Sequence, residues 1–258
     1  DTKKLNLESG QIIEYDEIVF AIGVVSTFFN IEGLHEYAYG MKTSQEVVKL
    51  RKHLHDTLML DDEASRNFVV VGGGPTGVEL AAGLGNYLRK IARKHRRSRK
   101  RINIWLVEDA PRLLPVMSER ASRIAKRRLE KLGVKIRLNT KVTAGRLDEL
   151  RTNEGPIPTH AIIWTAGAIN NPFFAVKADV FPVGERNKIK VNQYLQIRPS
   201  IYVIGDNAAT KYSGLALTAV QNGNFVYKDI ARRLNNKKRK AYNPAKPIQI
   251  VPIGDRSA

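Results

Sequence analysis

Residues 68–78, with the sequence FVVVGGGPTGV, decide the fold. The stretch opens with four apolar β-forming residues and passes directly into a glycine-rich segment. Apolar residues then recur at helical spacing, namely Val78, Leu80, Ala81, Leu84, Leu88 and Ile91. A strand that runs through glycines into a helix is the first half of a βαβ unit. The stretch therefore predicts an α/β fold with a parallel sheet.

The glycines form the motif G-x-G-x-x-G at Gly72, Gly74 and Gly77. In this motif the first glycine permits a tight turn, the second lets the backbone approach a pyrophosphate, and the third lets helix and strand pack closely. The free N–H groups at the start of the helix then face the phosphates. The motif predicts a dinucleotide-binding loop, with a glycine-rich turn that binds nothing as the alternative. Its residues are Gly72, Gly73, Gly74, Pro75, Thr76 and Gly77.

Such a loop requires an acid at the end of the next strand, where it accepts hydrogen bonds from an adenosine ribose. The predicted strand Ile102–Val107 is followed by Glu108, with Asp109 as the neighbouring alternative. The gap from the loop is longer than usual because the basic stretch Arg89–Arg101 intervenes. A carboxylate here repels a 2′-phosphate, so Glu108 predicts NAD rather than NADP. A solvated acid at a strand end is the other reading.

Similar patterns predict further elements along the chain. Between residues 68 and 138 the order strand, helix, strand, helix, strand indicates right-handed parallel units. The other predicted elements are a hairpin of Lys3–Leu7 and Gln11–Tyr15, a strand at Asp16–Gly23, a helix from Thr43 to Met59, a helix from Ser118 to Leu132, strands at Val134–Leu138, Ala161–Ala166 and Ile201–Ile204, and a helix at Leu215–Leu234.

The composition narrows the function. The chain has 258 residues and no cysteine, which excludes a disulfide, a thiolate nucleophile and a redox-active cysteine pair of its own. The five histidines are scattered, and we predict no metal site. The longest apolar stretch, Ile18–Phe29, is broken by Gly23 and is too short to span a membrane. The chain begins at Asp1 without Met and ends soon after a strand-like run, so we expect a fragment, with a processed mature form as the alternative.

Basic residues are in large excess. Forty-three Lys and Arg against 25 Asp and Glu give a net charge of +18. Of these basic residues, 23 fall in three clusters, Arg89–Arg101, Arg120–Arg137 and Arg232–Lys240. The alternatives are a solvated charged face, adsorption to an anionic membrane surface, and nucleic-acid binding. The last is disfavoured because the clusters lack interleaved aromatic residues.

Four segments together resemble the flavoprotein oxidoreductases with two dinucleotide-binding domains, and among them the type II NADH dehydrogenases, the single-subunit NADH:quinone oxidoreductases. The segments are 15–23 (YDEIVFAIG), 69–81 (VVVGGGPTGVELA), 163–167 (IWTAG) and 201–206 (IYVIGD). Their order and spacing match the family along the whole chain. The resemblance implies an α/β fold in which a Rossmann-like NADH domain is inserted into an incomplete FAD domain.

The resemblance also implies domain boundaries. Residues 1–66 would end the first part of the FAD domain, and 67–171 would form the NADH domain. Residues 172–236 would return to the FAD domain, and 237–258 would begin a C-terminal domain. The N-terminal FAD fingerprint of the family and its C-terminal membrane-binding part do not occur in the sequence.

On the flavin side, the resemblance gives Asp206 the role of accepting a hydrogen bond from the ribityl chain, with Gly205 permitting close approach. A turn or helix-capping role is the alternative for Asp206. Ala21 and Gly23 match the strand end near FAD. The helix beginning near Leu215, with Ala216 and Leu217 in its first turn, matches the helix whose N-terminus faces the flavin, where its dipole would stabilise negative charge.

On the nicotinamide and quinone side, Ala166 and Gly167 match the chain crossover beside the nicotinamide. There they have no side chain that would block stacking of the nicotinamide and flavin rings. Glu79 matches an acid that positions the ring or relays protons, with a first-turn Glu stabilised by the helix dipole as the alternative. Gln221 matches the second Gln of the quinone-side pattern Ala-Gln-x-Ala-x-Gln, or is simply a buried Gln satisfied by backbone groups. Residues 216–221 read ALTAVQ, so Leu217 replaces the first Gln and weakens the quinone assignment.

The function implied is hydride transfer from NADH to FAD and electron transfer onward, most simply to a membrane quinone, by a peripheral enzyme at the cytoplasmic face of the cell membrane. A homodimer is left open. The alternatives are another reductase of the superfamily, of the ferredoxin or rubredoxin, apoptosis-inducing-factor-like or disulfide type, and a non-enzymatic basic protein that binds nucleic acid or a membrane surface.

Overall fold

The structure is a computed structural model that describes residues 3–96 and 102–254. The chain forms two compact units. The first holds the residues up to Val25 together with Ile169–Gln249, and the second holds Ser26–Ala168 and the residues from Ile250 onward. The domain boundaries expected from the sequence remain predictions.

Six helices and fifteen strands are defined in the described ranges. The helices are α1 Leu34–Tyr37, α2 Ser44–Met59, α3 Pro75–Lys94, α4 Glu119–Lys131, α5 Phe173–Val176 and α6 Ala216–Leu234. The strands are β1 Lys4–Asn6, β2 Ile12–Glu14, β3 Ile18–Phe20, β4 Val24–Ser26, β5 Ala38–Tyr39, β6 Asn67–Val71, β7 Asn103–Val107, β8 Val134–Arg137, β9 Val142–Gly145, β10 Glu149–Thr152, β11 Ile157–Pro158, β12 Ala161–Trp164, β13 Ala168–Asn170, β14 Gln196–Arg198 and β15 Ile201–Val203.

A five-stranded parallel sheet of order β5-β12-β6-β7-β8 forms the centre of the second unit. Every residue of β6 and β12 is buried, which explains their uninterrupted apolar runs. Side chains such as Phe68 and Val70 pack against α2, α3 and α4 on one face. Val69 and Val71 pack on the other face, against the antiparallel meander of β9, β10 and β11.

Helix starts in this unit follow the local sequence. The Thr43 hydroxyl accepts a hydrogen bond from the Glu46 N–H at 3.1 Å, and the Glu46 carboxylate accepts one from the Thr43 N–H at 2.8 Å. This capping box starts α2. The Ser118 hydroxyl caps α4 by accepting from the Ala121 N–H at 3.2 Å. By contrast, no side chain caps α3, which follows the glycine-rich loop.

The first unit is smaller in regular structure. It contains the predicted N-terminal hairpin of β1 and β2 and a three-stranded sheet of order β14-β15-β3. Phe20 packs in a cluster of phenylalanines: it stacks on Phe173 and meets Phe181 edge to face, with a distance of 5.0 Å between the ring centroids of Phe20 and Phe181. Helix α6 contributes the buried residues Thr218, Asn222, Val226 and Asp229. No helix within residues 3–96 and 102–254 is long and apolar enough to cross a membrane.

The candidate dinucleotide and flavin sites

The glycine loop opens onto a cleft of about 620 Å³ in the second unit. The floor of the cleft is formed where the parallel strands end. This is the crevice at the carboxyl ends of strands that α/β proteins use to bind ligands. Its lining includes the sequence-predicted residues Gly72, Gly74, Glu108 and Ala166, and also Asp109, Thr165 and Phe29.

Two glycines of the loop are sterically required. Gly72 has φ = +110°, a conformation that side-chain-bearing residues rarely adopt, and its missing Cβ would lie 2.8–2.9 Å from Thr165 and Ala166. A Cβ on Gly77 would collide with the carbonyl oxygen of Gly72. The turn therefore closes only because both positions are glycine, as the motif predicts.

The first turn of α3 is left open to a ligand. Gly74 is its N-cap residue, and no side-chain oxygen accepts a hydrogen bond from the first turn. Pro75 occupies the first helical position, where its missing N–H removes one donor that has no partner. The remaining amide groups and the positive end of the helix dipole suit a phosphate. Thr76, beside them, is exposed.

Glu108 makes two backbone hydrogen bonds that the sequence does not predict. One carboxylate oxygen accepts a hydrogen bond from the Gly73 N–H, and the other accepts one from the Ala110 N–H at 2.8 Å. The side chain thus joins the glycine loop to the end of β7 while it lines the cleft. A carboxylate in such a crevice can accept hydrogen bonds from ribose hydroxyls.

The wall of the cleft beside Gly72 comes from Trp164, Thr165 and Ala166. The Thr165 hydroxyl donates to the Val71 carbonyl at 2.8 Å, and the Gly167 carbonyl accepts from the Thr27 N–H at 3.2 Å. A Cβ on Gly167 would lie 2.6 Å from the Thr27 oxygen. Ala166 therefore presents only a methyl group to the cleft, whereas Gly167 is not among the lining residues and is required by its close contact with Thr27 and Phe29. Glu79, two residues beyond the loop, is not among the cleft-lining residues, and desolvation raises the pKa of its carboxyl.

The residues predicted for the flavin lie in the first unit, and two of them, Gly205 and Asp206, form the turn Gly205–Asn207. Asn207 is fully buried. Its Oδ1 accepts a hydrogen bond from the Gly23 N–H at 2.9 Å, and its Nδ2 donates to the Gly23 carbonyl at 2.6 Å. This pair of bonds places the turn beside the strand end that carries the exposed Ala21. The sequence did not single out Asn207, since nothing local marks a contact over 184 residues.

A second buried amide holds the other end of this turn. The Asn222 Oδ1 accepts from the Gly205 N–H at 2.9 Å, and the Asn222 Nδ2 donates to the Tyr242 hydroxyl at 2.6 Å. In the described part of the chain no side chain pairs with the Asp206 carboxylate, which stays available as an acceptor. Asn222 and Tyr242 were likewise missed from the sequence.

The start of α6 completes the flavin-side group. No side chain caps its first turn, and Ala216 and Leu217 are exposed there. The Thr218 hydroxyl and the Gln221 side-chain oxygen are buried without a hydrogen-bond partner. Buried polar atoms without partners are costly in a folded protein unless a ligand or water completes them. Together with the free Asp206 carboxylate, these groups fit the flavin half of FAD, although the sequence contains no second G-x-G-x-x-G for its pyrophosphate.

The basic cluster Arg89–Arg101, which begins within α3, lies only partly in the described structure, because residues 97–101 fall outside it. Among residues 3–96 and 102–254, no group of three or more His, Asp or Glu side chains is placed to hold a metal ion.

Comparison with known proteins identifies the family. The sequence profile of the family described as pyridine nucleotide-disulphide oxidoreductase matches residues 1–223. The chain belongs to this family. The superfamily predicted from the four sequence segments is therefore confirmed.

One curated relative is the external alternative NAD(P)H-ubiquinone oxidoreductase B2 of Arabidopsis thaliana, a mitochondrial protein. It is 29% identical to this chain over 213 residues. That match covers 76% of this chain and 37% of the plant protein. A type II NADH:quinone oxidoreductase of Staphylococcus aureus is 28% identical over 256 residues, covering 92% of this chain and 63% of that protein. The chain thus spans less than two thirds of these relatives.

Solved structures show the same fold. NDH2 from Plasmodium falciparum in complex with NADH superposes with a TM-score of 0.68 at 24% identity, over 80% of this chain and 46% of that one. A ferredoxin reductase from Rhodopseudomonas palustris gives a TM-score of 0.72 at 24% identity, over 94% of this chain and 57% of that one. The predicted α/β fold of this flavoprotein class is confirmed.

Proposed function

We propose that the protein oxidises NADH and passes the electrons to a quinone, with FAD as its resident cofactor. The observation that carries this proposal is the cleft at the glycine loop, where free helix amides and the Glu108 carboxylate face the same space. The names of the plant and staphylococcal relatives specify a quinone as the acceptor, and they support our assignment of a quinone as the electron acceptor.

The chain's own residues would act mainly by positioning. The α3 amides bind the pyrophosphate of NADH, and Glu108 holds the ribose hydroxyls and excludes a 2′-phosphate. The small side chain of Ala166 leaves room for the nicotinamide. Bound FAD supplies the two-electron chemistry. Asp206 accepts a hydrogen bond from the cofactor, and the uncapped start of α6 stabilises negative charge near it.

Two side chains are proposed for the acceptor and proton steps. The Gln221 oxygen, buried without a partner, would accept a hydrogen bond on the quinone side. It lines a cleft with Phe225, Tyr242 and Pro244 in the first unit. Glu79, whose carboxyl pKa is raised by desolvation, would hold a proton to higher pH than an ordinary Glu. A membrane quinone would make the protein a peripheral enzyme, which we place at the cytoplasmic face of the membrane.

The first test measures the binding of NADH and of NADPH to the 258-residue chain by titration calorimetry. The second test assays NADH:quinone reduction by the whole protein. We expect NADH to bind at least about tenfold more tightly than NADPH. Glu108→Gln should narrow that ratio. A folded chain that binds neither nucleotide would overturn the assignment of the loop. A whole protein that binds NADH but reduces ferredoxin or disulfides rather than quinone would overturn the proposed acceptor.

A further inference from the structure

Two of the five histidines lie side by side in the second unit. His55 is on α2, and His95 directly follows the last residue of α3. These two helices pack against each other, and the Nε2 atoms of the two rings are 3.0 Å apart. Both rings are open to solvent, since 43% of the His55 side chain is exposed and His95 is also exposed. We call these two residues the histidine pair.

The geometry of the histidine pair suits one shared metal ion. The ring centroids are 4.7 Å apart and the ring planes are inclined by 81°. The rings are therefore not arranged end to end, because end-to-end rings with nitrogens 3.0 Å apart would have more distant centroids. With metal–nitrogen bonds of about 2.0 Å, two nitrogens at this separation subtend roughly 95° at a shared ion. That angle is close to the roughly 90° between neighbouring ligands of a tetragonal Cu²⁺ or Ni²⁺ site, and below the roughly 109° of tetrahedral Zn²⁺.

The protons of the histidine pair can make way for a metal ion. Without a metal, the contact is a hydrogen bond in which one Nε2 donates to the other. A metal ion replaces the shared proton, and the donating ring then carries its proton on Nδ1. For His55 that nitrogen lies 3.7 Å from the Asp56 Oδ1. A carboxylate beside the second ring nitrogen orients a metal-binding imidazole and makes it a stronger ligand.

The position of His95 at the end of α3 also favours a cation. The C-terminus of a helix carries a partial negative charge, because its last carbonyl groups lack partners within the helix. Arg93 and Lys94 in the last turn oppose a cation, but both are exposed, so salt screens their charge. The 20 residues of α3 separate the pair from the glycine loop by roughly 30 Å. A metal ion bound here would therefore leave the dinucleotide cleft open.

We propose that His55 and His95 form a two-ligand site for a late divalent transition metal, which binds Cu²⁺ most tightly and Ni²⁺ at least as tightly as Zn²⁺. Imidazole nitrogen suits these ions, and their affinities follow the order Ni²⁺ < Cu²⁺ > Zn²⁺. Two imidazoles held in place bind one ion more tightly than either does alone, because the second bond is intramolecular. The bound ion would fasten α2 to the end of α3. The site belongs to the second unit alone and does not depend on the proposed redox activity.

The test measures the binding of Cu²⁺ and of Ni²⁺ to the 258-residue chain by titration calorimetry in potassium nitrate. His55→Gln and His95→Gln should each weaken the binding of the first ion by at least about tenfold. The matched control is His35→Gln, which removes a single exposed histidine from α1 and should bind the ions like the wild type. Binding should strengthen as potassium nitrate rises, because salt screens the basic side chains at the end of α3. Circular dichroism checks that each variant is folded.

Two further measurements distinguish a shared ion from an ion held by one histidine. The electron paramagnetic resonance spectrum of the chain with one equivalent of Cu²⁺ should show two nitrogen ligands in the wild type and one in either pair variant. Ni²⁺ should raise the melting temperature of the wild type more than that of either variant, because only the wild type binds it with both rings. The proposal is overturned if either pair variant binds the ions like the wild type, if His35→Gln loses as much affinity, if the wild-type spectrum shows one nitrogen ligand, or if binding weakens as potassium nitrate rises.

Discussion

The dinucleotide cleft and the Gly205–Asn207 turn are built from different kinds of contact. The cleft takes its shape from backbone: the turn at Gly72, the close approach at Gly77, and the uncapped start of α3. The Gly205–Asn207 turn is held by side-chain amides that come from elsewhere in the chain. A site made from contiguous backbone is specified locally, whereas a site made from distant side chains depends on the whole unit being folded.

The two regions also differ in how their polar groups are satisfied. Both carboxylate oxygens of Glu108 are paired with backbone N–H groups within the cleft. On the flavin side, the Thr218 hydroxyl and the Gln221 oxygen are buried without partners. The cleft is therefore formed before any ligand binds, while the flavin-side group retains polar atoms that a ligand would satisfy.

The largest effect is expected for Gly77→Ala, which tests whether backbone approach builds the cleft. The added Cβ collides with the Gly72 carbonyl, so the loop must open. NADH affinity should fall by at least about 1,000-fold, or about 4 kcal/mol. The control is Gly83→Ala on the same helix, where a Cβ meets nothing within 4 Å. It should leave binding intact and stabilise α3 by up to about 1 kcal/mol. Equal NADH affinity in both variants would refute a backbone-built cleft.

This difference explains what could be predicted from the sequence. Strands β6 and β7, helix α3 and Glu108 follow from short patterns, because a buried parallel strand and a glycine turn each have a local signature. The ends of β6 and of α2 fall within one residue of the predicted ends. The meander of β9, β10 and β11 has no such signature, since its strands are two to four residues long.

The flavin-side contacts show where sequence reasoning ends. Asp206 belongs to a motif that could be recognised, but Asn207 beside it could not be given a partner in advance. Its bonds reach Gly23 and Asn170, which only the folded sheet brings near. The same holds for Asn222 and Tyr242, whose hydrogen-bond partners could not be predicted from the sequence either. Amide side chains bond to many partners, so their presence in a sequence does not indicate which they choose.

The next largest effect concerns a buried ion pair that supports the flavin side. Asp229 on α6 is 1% exposed and accepts hydrogen bonds from Arg239 at 2.9 and 2.6 Å and from the Tyr202 hydroxyl at 2.9 Å. Asp229→Asn should lower the free energy of unfolding by about 3 kcal/mol, because the Arg239 guanidinium loses its anionic partner. Urea denaturation measures the loss. The control is the exposed Asp179→Asn, which should change stability little.

The same carboxylate makes stability depend on pH. Desolvation alone would raise the pKa of Asp229, but the hydrogen bonds from Arg239 and Tyr202 outweigh it and hold the pKa below the usual value. A lowered pKa gives stability that is complete above the ordinary Asp pKa of about 4 and is lost as the pH falls below it. The wild type should therefore lose more stability in acid than Asp229→Asn. Parallel acid profiles for the two proteins would contradict this account.

A smaller effect is expected for Asn207→Ala, which tests whether side chains build the flavin-side turn. The change leaves the N–H and carbonyl of Gly23 without their partner. We expect a loss of about 2 kcal/mol in unfolding free energy, and weaker FAD retention by the whole protein. Asn224→Ala, at an exposed position of α6, is the control. Unchanged NADH binding by Asn207→Ala would show that the two regions are built independently, and a loss of NADH binding equal to that of Gly77→Ala would show that they are not.

The smallest and sharpest effect is expected for Thr218→Val, because it replaces a buried hydroxyl without a partner by a methyl group of similar shape. Removing an unsatisfied polar group should stabilise the ligand-free chain by about 1 kcal/mol. The same substitution at Thr152, whose hydroxyl donates to the Gly155 carbonyl at 2.7 Å, should destabilise it by a similar amount. If the Thr218 hydroxyl serves a bound flavin, Thr218→Val should also release FAD faster from the whole protein. A variant that is less stable than the wild type would mean that the hydroxyl is already satisfied, and the contrast between a preformed cleft and a ligand-dependent flavin side would then fail.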